Sequence, residues 1–180
     1  MDMSRMWLVM VCIGVLGGST AAGADAGSVE WRSLFDGRSL EGWEVRGGNA
    51  KYHVEDGTIV GSTVEGSPNT FLCTVRDYGD FILEFDVRCD PALNSGVQIR
   101  SHIYHRDTEY PMYRDDRRIM RQHKAGDVYG YQVEIASVES GSSGGVWDEA
   151  RKGMWLDKPE PQSKAAGALK SGEWNRYRIE

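Results

Sequence analysis

The sequence predicts an all-β domain of the antiparallel sandwich or jelly-roll kind. Helical periodicity is nearly absent from the 180 residues, and short alternating runs recur between Gly, Asp and Asn turn signals. The clearest run is Asp80 to Cys89, where Phe81, Leu83, Phe85, Val87 and Cys89 are apolar and Glu84, Asp86 and Arg88 fall between them. Strict period-two alternation describes a strand with one buried and one wet face, and several such strands at short spacing describe two packed sheets.

Taken in order, the chain opens with the layout of an export signal. Arg5 precedes the apolar run Met6 to Leu16, and a small-residue stretch ends in Ala22-Gly23-Ala24. Cleavage is expected after Ala24, giving a secreted or periplasmic protein. The run is too short for the roughly 20 residues that span a bilayer, and no later segment is apolar enough, so no stable membrane span is expected after cleavage. Only Asp2 and Arg5 are charged in this leader, so the net charge of −6 is the same with or without it. An acidic balance argues against nucleic acid as a partner.

Strands follow at Lys51 to Val54, Thr58 to Gly61 and Asn69 to Val75, with Glu55-Asp56-Gly57 as a turn. After Asp80 to Cys89, the run Ser95 to Ile103 keeps the same phase, with Val97, Ile99 and Ile103 on one side and Gln98, Arg100 and His102 on the other. Tyr131 to Ile135 puts Val133 and Ile135 inward and Gln132 and Glu134 outward. Between these two lies the polar stretch His105 to Asp127, read as a long loop that is either a solvated surface segment or a functional lid. Further loops are expected at Ser140 to Gly145 and Lys158 to Ala168. The segment Glu173 to Glu180 alternates like a strand without a closing turn, which predicts that the last strands of the fold are missing.

The polar face shared by Gln98, Arg100, His102, Gln132 and Glu134 is the candidate site, with an ordinary solvated face as the alternative. Six tryptophans and eight tyrosines suit sugar stacking and equally suit a β core. Cys73 and Cys89 remain after leader removal; a hairpin turning near Tyr78 would set Cys73 opposite a residue near Leu83, so two buried free thiols are expected.

Several segments together resemble the 3-keto-disaccharide hydrolase domain family. They are Leu34-Phe35-Asp36-Gly37 with Leu40-Glu41-Gly42-Trp43, Val54-Glu55-Asp56-Gly57, Thr70-Phe71-Leu72 and Tyr78-Gly79-Asp80-Phe81. Asn94-Ser95-Gly96-Val97-Gln98-Ile99-Arg100, Gly130-Tyr131-Gln132-Val133-Glu134-Ile135, Gly145-Val146-Trp147-Asp148-Glu149 and Gly172-Glu173-Trp174-Asn175 complete the series, so the resemblance runs over residues 31–180. It implies a concanavalin A-like lectin/glucanase jelly roll with a sugar groove on one sheet. The stretch from His105 to Asp127 is longer than the family commonly has, and the closing hairpin is missing.

The implied substrate is a glycoside whose C3 hydroxyl has been oxidised to a ketone. That ketone acidifies the C2 hydrogen, and the group on C1 leaves by elimination, with later hydration of the enone. Such a route needs a base near C2, a stabiliser for the enolate oxygen and a proton source for the leaving group. On the resemblance Glu134 would be the base or a metal ligand, Arg100 would stabilise the enolate or clamp the substrate, and His102 would be the proton donor or an ordinary surface histidine. Gln98 and Gln132 would bind hydroxyls, Asp148 and Glu149 would reach the groove's rim, and Trp147 would stack on a sugar ring or serve a structural role. No tight His and Cys cluster supports structural zinc; a divalent calcium, manganese or magnesium ion on Glu134, Asp148 or His102 would suit the chemistry. The rival reading is a non-catalytic, lectin-like carbohydrate-binding domain, and a third is an adhesion or scaffold module.

Overall fold

The strict alternation of Asp80 to Cys89 becomes the spine of the larger sheet. The computed structural model describes residues 5–15, 30–114, 117–136 and 141–180, and among them there are fourteen strands and no helix. The strands are β1 (Arg5–Val15), β2 (Glu30–Ser33), β3 (Trp43–Gly47), β4 (Lys51–Glu55), β5 (Thr58–Ser62), β6 (Thr70–Thr74) and β7 (Phe81–Cys89). They continue as β8 (Ser95–Ile103), β9 (Thr108–Arg114), β10 (Arg117–His123), β11 (Val128–Ile135), β12 (Val146–Glu149), β13 (Trp155–Asp157) and β14 (Asn175–Ile179). The larger sheet runs β14-β7-β1-β5-β4, with β2 also on β1; the second runs β13-β12-β11-β8; two ribbons, β9-β10 and β3-β6, complete the set. Every pairing is antiparallel.

The two sheets form a jelly-roll sandwich. Leu83, Phe85 and Val87 of β7 and Ile179 of β14 meet Val133 and Ile135 of β11, with Phe81, Val97, Ile99 and Tyr177 packed round them. Phe85 is 1% exposed and stacks on Tyr177 with ring centres 5.3 Å apart. On the wet face of β7, Asp86 accepts from Arg176 Nε at 2.8 Å and Nη2 at 2.7 Å, and Glu84 pairs with Arg178. Inward apolar and outward paired charges are what the sequence alternation requires.

The turn between β4 and β5 is built as its residues demand: Asp56 and Gly57 have φ of 49° and 73°, the left-handed pair of a tight hairpin. The region from His105 to Asp127 departs from expectation. It is not a loop but the ribbon β9-β10, registered from Thr108 with His123 to Arg114 with Arg117. Lys124 reaches Asp107 at 2.7 Å, and Gln122 bonds Glu109 across the strands. The ribbon escapes periodicity because Arg117 to Gln122 are all exposed, so no apolar face marks β10. At its base His123 is 3% exposed and stacks on Tyr104 at 5.0 Å, and burial lowers its pKa, so this member of the basic stretch is held neutral.

Two other readings of the sequence meet the structure here. Cys73 and Cys89 are free and half-buried, and β6 pairs with β3 instead of forming a hairpin with β7. Burial pushes the Cys89 thiol up to about 12, so it stays protonated and unreactive. The apolar run read as the centre of an export leader is built as β1, between β7 on one side and β5 and β2 on the other, with a register shift between Val9 and Cys12. A short apolar run satisfies a buried strand and a leader alike. A chain cleaved after Ala24 would lack β1 and leave β5 and β7 without their shared partner. The expected cleavage stretch Ala22-Gly23-Ala24 lies outside the described residues.

Candidate functional site

The site follows from the register of β8 and β11. Val97 lies opposite Val133, and both join the core, so their neighbours must face the other way. Those neighbours are Gln98 opposite Gln132 and Gly96 opposite Glu134. On the far side of β11, β12 sets Trp147 beside Gln132 and Glu149 beside Gly130. Gln98, Gln132 and Trp147 therefore form a row across three strands, with Glu134 and Glu149 on the same face.

Glu134 is the chemically distinctive group of that face. It is 5% exposed, and its carboxylate is held by two neutral amides: Gln132 Nε2 donates to Oε2 at 2.9 Å and Asn94 Nδ2 donates to Oε1. Gly96 makes the arrangement possible, because a Cβ there would sit 2.5 Å from Gln132 Cγ and 2.6 Å from its Cδ. Gln98 uses its carbonyl oxygen to accept from Ser101 Oγ at 3.1 Å, while its amide nitrogen is buried with no partner in the structure. Asn69, at the edge of β6, donates to Glu149 at 2.9 Å and brings the β3-β6 ribbon to this face. Behind it, the Tyr177 hydroxyl reaches the Glu134 carbonyl at 3.4 Å, and burial pushes that phenol's pKa up.

The expectation that Arg100 and His102 share this face is corrected by a bulge. Arg100 has φ of 52°, and Ile99 pairs with Tyr131 while His102 pairs with Tyr129, so β8 carries one extra residue there. Tyr129 and Tyr131 point to one side of β11, and His102 is thereby turned to the side of Ile99, away from Gln98. It is exposed, with its ring 5.6 Å from that of Tyr129. Arg100 is likewise exposed and reaches Asp80 at 2.9 Å, its guanidinium 5.9 Å from the centre of the Phe81 ring. Ser101 takes the place beside Gln98 that alternation assigned to its neighbours.

Asp148 also lies off the row. It pairs with Tyr131, is 2% exposed, and accepts from Arg151 Nε at 2.8 Å. Arg151 sits 5.1 Å from the Tyr131 ring centre and 6.0 Å from that of Tyr129, and its bond to Asp148 pushes the guanidinium's pKa up. Asp148 is thus neutralised on the inner side of the sheet. Glu134 and Asp148 face opposite ways and His102 lies beyond the bulge, so these three do not converge on one ion. Among the described residues no three His, Cys, Asp or Glu side chains form a metal-holding group, and no step is assigned to a divalent ion.

The family model of 3-keto-alpha-glucoside-1,2-lyase-like domains matches residues 30–180. The chain belongs to this family. No curated protein matches it in sequence. In this 3-keto-alpha-glucoside-1,2-lyase-like domain, the residues brought together from the sequence-predicted set are Gln98, Gln132, Glu134, Trp147 and Glu149, and those set apart are Arg100, His102 and Asp148. Sequence reasoning passed over Asn94 and Ser101. Asn94 stood in plain view in Asn94-Ser95-Gly96, but turn residues before a strand are read as punctuation.

Proposed function

We propose that the domain cleaves 3-keto-glycosides by elimination across C1 and C2. Glu134 takes the proton from C2, made acidic by the C3 ketone; the electron pair passes into an enolate with its charge on the C3 oxygen. The enolate then collapses, a C1=C2 double bond forms in conjugation with the re-formed ketone, and the C1–O1 bond breaks. The departing oxygen keeps that bond's electrons and takes a proton from water. Gln98, Gln132 and Trp147, in a row across β8, β11 and β12, flank the sugar ring.

The observation that carries this reading is a buried carboxylate bonded to neutral amides at both side-chain oxygens, while Glu149 on the same face is bound to Asn69. One positioned carboxylate suits proton abstraction, whereas ordinary glycoside hydrolysis uses two carboxyl groups flanking the bond. The family description, a 1,2-lyase acting on 3-keto-alpha-glucosides, names the same bond positions. The test is cleavage of a 3-keto-glucoside carrying deuterium at C2. A slower rate than the protiated substrate, with deuterium lost from C2 in the product, is expected; equal rates with deuterium retained would overturn it.

A further inference from the structure

Asn94 is an exposed residue bonded to a nearly fully buried one. It sits ahead of β8 at the end of a tight turn, in which Asp90 Oδ1 accepts from Ala92 N at 2.8 Å and the Asp90 carbonyl accepts from Leu93 N at 2.9 Å. That turn sets the Asn94 amide against Glu134 Oε1, forty residues away in sequence. Gln132 takes Oε2 from the carboxylate's own strand. Each carboxylate oxygen can accept two hydrogen bonds, so the two amides fix the plane of the group without using all of its acceptor sites. Arg100 and His102 are turned elsewhere, so no cation of β8 contributes.

We propose that Asn94 is a positioning residue for the reaction: it fixes the rotation of the Glu134 carboxylate and keeps it aimed at the C2 hydrogen. This rests on the assignment of Glu134 as base. An exposed asparagine does little for core packing, so its removal should cost rate and not fold. Misaimed catalytic groups lose about 10²-fold for roughly 1 Å of displacement.

The experiment compares the whole chain with Asn94→Asp and Asn94→Ala on a 3-keto-glucoside, measuring kcat and KM across pH with a thermal melt. Asn94→Asp keeps shape and loses the donor. It is expected to lower kcat on the order of 10²-fold with KM within about 3-fold. Asn94→Ala, which also lacks the donor, is expected to lose rate to a similar degree with KM again near wild type. Unchanged melting with both variants within twofold of wild-type kcat, or a loss confined to KM, would overturn the proposal. Should wild type cleave nothing, the base assignment fails by itself. The side-chain amide NMR signal of Asn94 then still reads the contact: a signal that moves on Glu134→Gln keeps it, and an unmoved signal overturns it.

Discussion

Gly96→Ala tests the site's construction with a single methyl group. Gly96 lies opposite Glu134, and an added Cβ would meet Gln132 Cγ at 2.5 Å, Cδ at 2.6 Å and the Val133 carbonyl oxygen at 2.9 Å. The backbone oxygen cannot withdraw without breaking the β11 ladder, so the Gln132 side chain must leave. Overpacking of this kind costs about 1–3 kcal/mol, and losing a hydrogen bond to a charged group about 1.5–3 kcal/mol. Part of each is recovered as Gln132 relaxes into solvent, so a net destabilisation of about 3 kcal/mol is expected. For a chain of this length that lowers Tm by roughly 6–12 °C. The rate should fall at least tenfold at a temperature where the variant is folded, because Glu134 keeps only Asn94. Thermal denaturation by circular dichroism and single-turnover cleavage of a 3-keto-glucoside read the two effects. A variant with wild-type Tm and rate would mean that Gln132 does not occupy the place described.

Glu134→Gln should remove about 10²–10⁴-fold of kcat, the ordinary contribution of a general base, while circular dichroism shows the chain still folded; a loss under tenfold would remove Glu134 from the chemistry. His102→Ala should leave kcat/KM within about twofold, since the residue is exposed and beyond the bulge, and a large loss in initial-rate assays would return it to the groove. Arg176→Gln should cost about 0.5–1 kcal/mol at pH 7 by urea unfolding, discounted for exposure. The hydrogen bond from Arg176 holds the Asp86 carboxyl below its ordinary range, so this stability is present above about pH 4 and disappears as pH falls through the lowered folded value. A deficit that persisted at pH 2 would assign it to packing.

What the sequence carries clearly is whatever alternation controls. The β7 spine, the inward Val133 and Ile135, and the shared face of Gln98 and Gln132 all follow from period two, because one face is buried and a slip of one residue would invert it. The β9-β10 ribbon has no buried face along Arg117 to Gln122, so nothing in its pattern separates it from a solvated loop. The bulge at Arg100 is invisible for another reason: a single arginine with positive φ leaves no compositional mark, yet it turns His102 across the sheet and removes two of the expected catalytic residues from the row. Asp148 illustrates a third limit. Acidic residues in a Trp-Asp-Glu run read alike, and only the register tells the arginine-bound one from Glu149 on the groove face. Asn94 reaches its partner across forty residues, a contact no local rule supplies.

The most direct test of the account is release of reducing sugar by the folded chain from a 3-keto-disaccharide and from its unoxidised parent, side by side. The account predicts cleavage of the keto form alone, since without the ketone the C2 hydrogen is not acidic enough for a carboxylate to remove. Equal cleavage of the parent, or saturable binding of both with cleavage of neither, would contradict it.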